Sequence, residues 1–236
     1  MTRRTPGAAD PAAAAAMRAH DAPALHIVAA DAVAPVPWKN GGGVTRELLR
    51  IAQPGAAAGA GADWLLRISL ADIAADGPFS PFDGVTRWFA VIEGPGVHLR
   101  WPADEACAAR ELDLRPGDAP LEFDGVDAPD CRLLGGPTRD LNVMVRASAA
   151  RAELAPLREA QAWHSGPGAR GVFAVRALTL RREGCAPLAR AARTLAGCAD
   201  GDTRPWSIEA ATAAPAGRAQ TAHLAPPAFR IGLVRQ

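Results

Sequence analysis

The sequence predicts an all-β protein, an antiparallel sandwich or barrel, on three observations. Its 236 residues include 23 Gly and 21 Pro, which cut the chain into short apolar runs. Those runs have strand length, and the clearest alternates with period two: Leu66, Ile68 and Leu70 lie on one face, Arg67, Ser69 and Ala71 on the other. Helix is allowed in two places only, around Ala149 to Ala162 and Pro187 to Leu195.

Residues 1 to 22, with Pro6, Gly7, Pro11 and the Ala12 to Ala16 run, lack apolar periodicity and are expected to form a disordered tail, Met17 being an alternative start. Strands are expected at Leu25 to Ala29, Val44 to Ile51, Trp64 to Ala71, Trp88 to Ile92, Gly96 to Trp101, Ala109 to Leu114, Leu121 to Phe123, Asp130 to Leu134 and Asn142 to Val145. After a break come Val172 to Leu180 and Trp206 to Ala210. The Ala/Pro/Gly segment Gln53 to Ala62 reads as a hairpin loop. Two passages look alike. Trp88 to Ile92 leads to Glu93-Gly94, then Gly117-Asp118 and Leu121 to Phe123; Val172 to Leu180 leads to Glu183-Gly184, then Gly201-Asp202 and Trp206 to Glu209. Internal duplication and chance recurrence of common Gly-Asp turns both account for this.

With 26 basic and 25 acidic side chains, a net charge of +1 gives no broad field for nucleic acid or an anionic membrane. No run approaches the roughly 20 apolar residues of a bilayer-spanning helix, and no signal-peptide core opens the chain, so a cytoplasmic location is expected. Cys107, Cys131, Cys185 and Cys198 include no C-x-x-C, and the five His are dispersed, which argues against a zinc site, a disulfide scaffold or a compact metal cluster. Lys39 is the only Lys and Tyr is absent, a skew that reads as base bias.

The densest local signal is Trp38-Lys39-Asn40-Gly41-Gly42-Gly43-Val44-Thr45-Arg46-Glu47. Its glycines permit positive φ and close approach to another chain or a ligand. No Gly-Lys-Ser/Thr follows, which removes a P-loop; a glycine bulge that lets a sheet curl is the plain alternative. Period two puts Thr45 and Glu47 on one face with Leu49 and Ile51, and Val44, Arg46, Leu48 and Arg50 on the other. Periodicity alone sends Arg67 and Ser69 to solvent. In the turn-rich segment Asp76 to Arg87, Phe79 and Phe82 read as core plugs, while Arg87 faces either a cleft or the sheet edge. Gly136 to Val145 runs a polar loop into a strand on which Asn142 needs partners if buried.

Together, Pro37-Trp38-Lys39-Asn40-Gly41-Gly42-Gly43 with Thr45 and Glu47, Arg67-Ile68-Ser69-Leu70-Ala71, Asp76-Gly77-Pro78-Phe79-Ser80 with Phe82, Gly84 and Arg87, and Asp140-Leu141-Asn142-Val143-Met144 resemble the HutD/Ves family. Order and spacing match from about residue 25 to residue 146, and the last third matches loosely. The resemblance implies a cupin-like double-stranded β-barrel, and more specifically a bicupin whose second barrel is degenerate. Residues 1–22 would be the tail, 23–148 the first barrel, and 149–236 a weaker cupin-like part packed on it. It also implies a link to bacterial histidine utilisation, which HutD-like proteins restrain or tune; the Ves branch is tied to stress or cold response.

Metal cupins place two His and a Glu just before the strand that corresponds to Trp88-Ile92, and another His after the Gly-Asp turn. Here those places hold Asp83, Thr86 and Arg87, then Ala119, Leu121 and Glu122, so no metal and no cofactor is expected. The cupin fold also turns Arg67 and Ser69 inward, toward Thr45 and Glu47. A guanidinium there needs a partner, which Glu47 supplies when no ligand is bound. A small carboxylate would dock on Arg67 through two parallel hydrogen bonds, with Ser69 and Asn40 completing the contact. The expected ligand-binding set is Asn40, Thr45, Glu47, Arg67, Ser69, Arg87 and Asn142.

Three classes follow. The first is a non-enzymatic regulator that binds urocanate, formiminoglutamate or formylglutamate. The second is a metal-free isomerase or hydrolase with Glu47 as acid or base and Arg67 holding the substrate, for which no second proton-transfer group is evident. The third is an interaction protein with no small ligand. Nucleic-acid and membrane partners are not expected, and a homodimer paired through sheet faces stays open.

Overall fold

Period-two burial, not helical spacing, decides the architecture. The computed structural model describes residues 25–53, 64–103, 108–164, 168–198, 202–211 and 225–235. The expected N-terminal tail lies outside these residues, as does the Gln53–Ala62 loop beyond Gln53. In chain order the strands are β1 (His26–Ala29), β2 (Val36–Pro37), β3 (Gly43–Ala52), β4 (Trp64–Ile73), β5 (Gly77–Pro78), β6 (Val85–Glu93), β7 (Val97–Trp101), β8 (Arg110–Leu114), β9 (Leu121–Asp124) and β10 (Asp130–Leu133). They continue with β11 (Thr138–Arg146), β12 (Ala150–Leu157), β13 (Arg170–Ala174), β14 (Leu178–Arg182), β15 (Leu188–Arg190), β16 (Thr194–Cys198), β17 (Trp206–Ala210) and β18 (Ala228–Arg235).

These strands form four antiparallel sheets. A six-stranded sheet, β2-β3-β4-β11-β6-β9, faces a four-stranded one, β5-β10-β7-β8. A five-stranded sheet, β1-β16-β13-β18-β12, faces a three-stranded one, β15-β14-β17. The two larger sheets pack on each other through Leu66, Ile68, Leu70, Leu141, Val143 and Val145 from one side and Phe173, Leu195, Phe229, Ile231 and Leu233 from the other. Phe89, Val91, Val97, Leu99 and Cys131 fill the space inside the first half; Val172, Leu178, Leu180, Trp206 and Ile208 fill the second. The all-β expectation stands, and the cupin-like likeness is carried by the comparisons below. The ladders do not close: among the described residues each half is a pair of open sheets, so the closed barrel is not found.

Strand order repeats between the halves. The run β9-β6-β11-β4 has its counterpart in β16-β13-β18-β12, and β10-β7-β8 in β17-β14-β15. The residue matching read from sequence set Leu121–Phe123 against Trp206–Glu209, whereas strand order sets β9 against β16 and β17 against β10. β1, from the start of the chain, pairs with β16 of the second half.

Both places where the sequence allows helix hold strands. Ala150, Leu154 and Leu157 are buried at i, i+4 and i+7, which mimics a helical stripe. Eight consecutive pairs with β18 hold the segment extended instead. The Pro187–Leu195 segment divides into β15 and β16 on either side of Arg193, whose φ is 55°. Val172–Leu180 is likewise not one strand: it turns after Ala174, where Val175 N–H donates to Pro227 O, and crosses from the five-stranded to the three-stranded sheet.

Candidate functional site

The site is built on the face of the six-stranded sheet that looks into the first half. Residues directly opposite in an antiparallel ladder share a face. One row therefore runs Glu47, Ser69, Asn142, Phe89, and the next runs Arg67, Met144, Arg87, Phe123. The inward turn of Arg67 and Ser69 is thus observed, against the solvent-facing reading of bare periodicity.

A bulge between Glu47 and Leu49 shapes the outer end. It shifts Leu49 and Ile51 out of the face they were expected to share with Glu47 and sets them opposite Ile68 and Leu66. It also brings Arg50 opposite Arg67. Arg50 clamps Glu47 side-on, Nε to Oε1 at 2.8 Å and Nη2 to Oε2 at 2.7 Å. Arg67 donates its Nε to the same Oε2 at 2.8 Å. The Arg50 hydrogen bond first, and the positive charge of Arg67 next, hold Glu47 below its ordinary carboxylate range. Arg67 is 24% exposed, and its two Nη groups have no partner among the described residues.

The inner end is buried. Arg87 donates Nη2 to Asn142 Oδ1 at 3.0 Å, and Asn142 donates Nδ2 to Asp140 Oδ1. The Arg87 guanidinium lies 5.0, 5.7 and 5.1 Å from the ring centres of Phe79, Phe82 and Phe123. Phe79 and Phe82 thus wall this guanidinium. Arg87 Nε and Asp140 Oδ2 have no hydrogen-bond partner. Burial lowers the Arg87 pKa to about 10 and pushes Asp140 up to about 8, so the guanidinium stays charged and the carboxyl is mostly protonated at neutral pH. Three guanidiniums, Arg50, Arg67 and Arg87, therefore face one ionised carboxylate, Glu47, and the local field attracts anions.

Of the seven expected residues the structure sets six on this face: Thr45, Glu47, Arg67, Ser69, Arg87 and Asn142. Asn40 and Thr45 are engaged in the β2–β3 hairpin. Asn40 Oδ1 accepts from Gly42 N–H at 3.1 Å, and Thr45 Oγ1 accepts from Trp38 Nε1 at 2.7 Å. The glycine run closes that turn: Gly41 has φ of +72°, and a Cβ on Gly43 would come within 2.4 Å of Asp72 O. Arg50 and Asp140 were not nominated from sequence. Asp140 had a readable signal, since it lies two residues before Asn142 on one strand and so shares its face.

A metal does not suit this donor set, because the interior position that would hold its ligands carries the Arg87 guanidinium, and no imidazole shares the face. A groove of about 470 Å³ lies on the outer face of the four-stranded sheet and is lined by His98, Arg100, Glu111, Asp130 and Arg132. Two of its charges meet partners of opposite sign across strands: Arg100 Nε is 3.3 Å from Glu111, and His98 Nδ1 is 2.8 Å from Asp113. No helix among the described residues is long and apolar enough to cross a membrane.

The HutD family model matches residues 30–203. The chain belongs to the HutD family. It is 36% identical over 130 residues to a 21.2 kDa protein in the hutC 3′ region of Pseudomonas putida, and 29% identical over 118 residues to protein Ves of Escherichia fergusonii. These alignments cover 55% and 50% of this HutD-family chain and 63% and 56% of the two relatives, less than two-thirds of either. The structure of HutD from Pseudomonas fluorescens SBW25 superposes with a TM-score of 0.67 at 26% identity over 90% of this chain and all of that one. An oxalate decarboxylase, at 8% identity and a TM-score of 0.54 over 88% of this chain and 76% of its own, shares the cupin-like fold alone.

Proposed function

We propose that this HutD-family chain is a non-enzymatic regulator of histidine utilisation that binds a small carboxylate, such as urocanate, formiminoglutamate or formylglutamate, on Arg67. The observation that carries this reading is the state of Arg67: one N–H held by a carboxylate that Arg50 already clamps, and an end-on pair of Nη groups left open on a partly exposed side chain. Such a pair matches the two oxygens of a carboxylate. Glu47 keeps Arg50 when a ligand takes Arg67, so the exchange strands no buried charge. The neighbouring Arg87 adds field from below. The relative in the hutC 3′ region supports the pathway, and the related HutD was solved in a formate condition, formate being the smallest carboxylate.

Thermal unfolding with each histidine-pathway intermediate tests this. A ligand at 100 times its Kd adds about 2.7 kcal/mol. A shift selective for one intermediate, lost in Arg67→Gln, is expected; no shift with any of them, in a protein that is folded, overturns the reading. The metal-free enzyme gains one observation, since Asp140, with its pKa near 8, is a second proton-transfer group on the same face. Glu47 works against it, being held too acidic for a base at neutral pH. Turnover of the bound ligand separates the two.

A further inference from the structure

The repeat in strand order places a second arginine where the first half has Arg87. β13 is the counterpart of β6, β16 of β9, and β18 of β11. On β6 the side chains that point into the first half are Arg87, Phe89 and Val91; on β13 those that point into the second half are Arg170, Val172 and Ala174. In each case the arginine stands two alternate positions before the last inward residue ahead of the turn to the next sheet. Arg170 is 3% exposed and packs against the edge-to-face pair Trp163 and Trp206, 5.6 and 5.5 Å from their ring centres, as Arg87 lies among three phenylalanines.

The two arginines differ in which edge is engaged. Arg170 donates Nη1 to Arg204 O at 2.7 Å, while its Nε and Nη2 have no hydrogen-bond partner. Nε and Nη2 form the side-on edge of a guanidinium, the edge Arg50 uses to clamp Glu47 in this same molecule. Directly opposite Arg170 on β18 is Gly232, where the first half has Met144 opposite Arg87, and the Trp163 ring comes within 3.9 Å of where a Cβ on Gly232 would stand. The nearby carboxylate of Asp202 is taken up elsewhere, accepting from Trp206 Nε1 at 3.0 Å and from Arg204 N–H at 3.1 Å. A buried cationic edge with no protein acceptor is costly, and a carboxylate contact there is charge-assisted and strong.

We propose that the second half carries its own binding site for a small carboxylate, built on the side-on edge of Arg170 beside Trp163 and Trp206. The site goes beyond the Arg67 reading and stands or falls without it. Its chemistry is that of a small monoanion: two oxygens on Nε and Nη2, beside two indoles whose centres are 6.1 Å apart and whose planes cross at 85°.

The test is a titration of the full chain, with isotope-labelled arginine, by sodium formate and sodium acetate at constant ionic strength, sodium chloride being the control. The Arg170 Nε–H resonance, identified by its loss in Arg170→Lys, is expected to shift saturably with formate and acetate and not with chloride. Arg170→Lys keeps the charge and loses the edge, so the tryptophan-emission response to the same probes should weaken about ten-fold. Arg67→Gln should leave the response within about two-fold, because the sites are in different halves. If Arg170→Lys does not fold, the resonance is identified by its nuclear Overhauser contact with the Trp206 indole, and the parent titration decides. An unmoved resonance overturns the proposal; so does an equal shift with chloride, which marks an adventitious ion only, and so does loss of the response in Arg67→Gln.

Discussion

Asp140 is a carboxyl held out of water, 1% exposed. Burial raises its pKa from 3.8 to about 8, against the opposing pull of Arg87 and the Asn142 hydrogen bond. The sign of the consequence is fixed by linkage. The folded carboxyl keeps its proton up to about pH 8 while the unfolded one releases it near pH 4, so the stability this group contributes is whole below about 4 and is lost progressively as pH rises toward 8. Denaturant unfolding should show stability falling across that window by a few kcal/mol, and Asp140→Asn should flatten the slope; an unchanged slope in the variant would place the proton elsewhere. The same titration reaches the ligand. Above pH 8 an ionised Asp140 adds a negative charge beside Arg87, so affinity for a carboxylate on Arg67 should decline through that range in the parent and hold level in Asp140→Asn, as binding titrations at pH 7 and 9 will show. Arg67 itself is a different case. Its pair with Glu47 is partly exposed, and such pairs contribute roughly 0–1 kcal/mol, so Arg67→Gln should keep the parent's unfolding midpoint within a few degrees while losing the ligand shift.

At the scale of elements, the β2–β3 hairpin shows how a motif serves the site without touching ligand. Gly43 lies under the Trp38 ring, and an added Cβ would stand 2.4 Å from Asp72 O and 3.1 Å from that ring. The first obstacle is backbone and cannot rotate away. Gly43→Ala is therefore expected to cost about 1–3 kcal/mol in chemical unfolding; a neutral result would mean that β3 slides on β4. The glycine run was legible as a device for close approach, and the approach is that of two strands. What else was legible follows the same physics. The Leu66, Ile68, Leu70 alternation gave the inward face of Arg67 and Ser69 once a second sheet was supposed to cover it. β12 was not legible because Ala150, Leu154 and Leu157 are spaced as on a helix, and only the β18 ladder overrides that pattern. β18 does carry a signal in the sequence, since Phe229, Ile231 and Leu233 alternate with Arg230 and Gly232. The bulge after Glu47 left no mark in composition, and it is what turns Arg50 onto the site and Leu49 into the core.

At the scale of the molecule, the two halves resemble each other in strand order and yet are not independent. The face of β4 and β11 opposite the site, with Leu66, Ile68, Leu141 and Val143, is one wall of a core whose other wall is Phe173, Phe229 and Ile231. β1 adds a second tie, four residues at the start of the chain laid against β16, and Asp31 just beyond it pairs with Arg193 at 2.7 Å. Separating the halves would expose that shared wall on both, and burying apolar surface is the main favourable term in folding. Unfolding should then be a single cooperative transition, with calorimetric and van't Hoff enthalpies in agreement. Substitutions in the shared wall from opposite halves give the sharper check. Leu66→Ala and Phe229→Ala remove side chains that are almost wholly buried, and each is expected to cost about 2–5 kcal/mol. Both should lower the midpoint of that one transition, by calorimetry and by tryptophan emission alike. If Phe229→Ala instead splits off an early transition while the Arg67 site still binds its ligand, the halves unfold separately and the shared wall is an interface rather than a core.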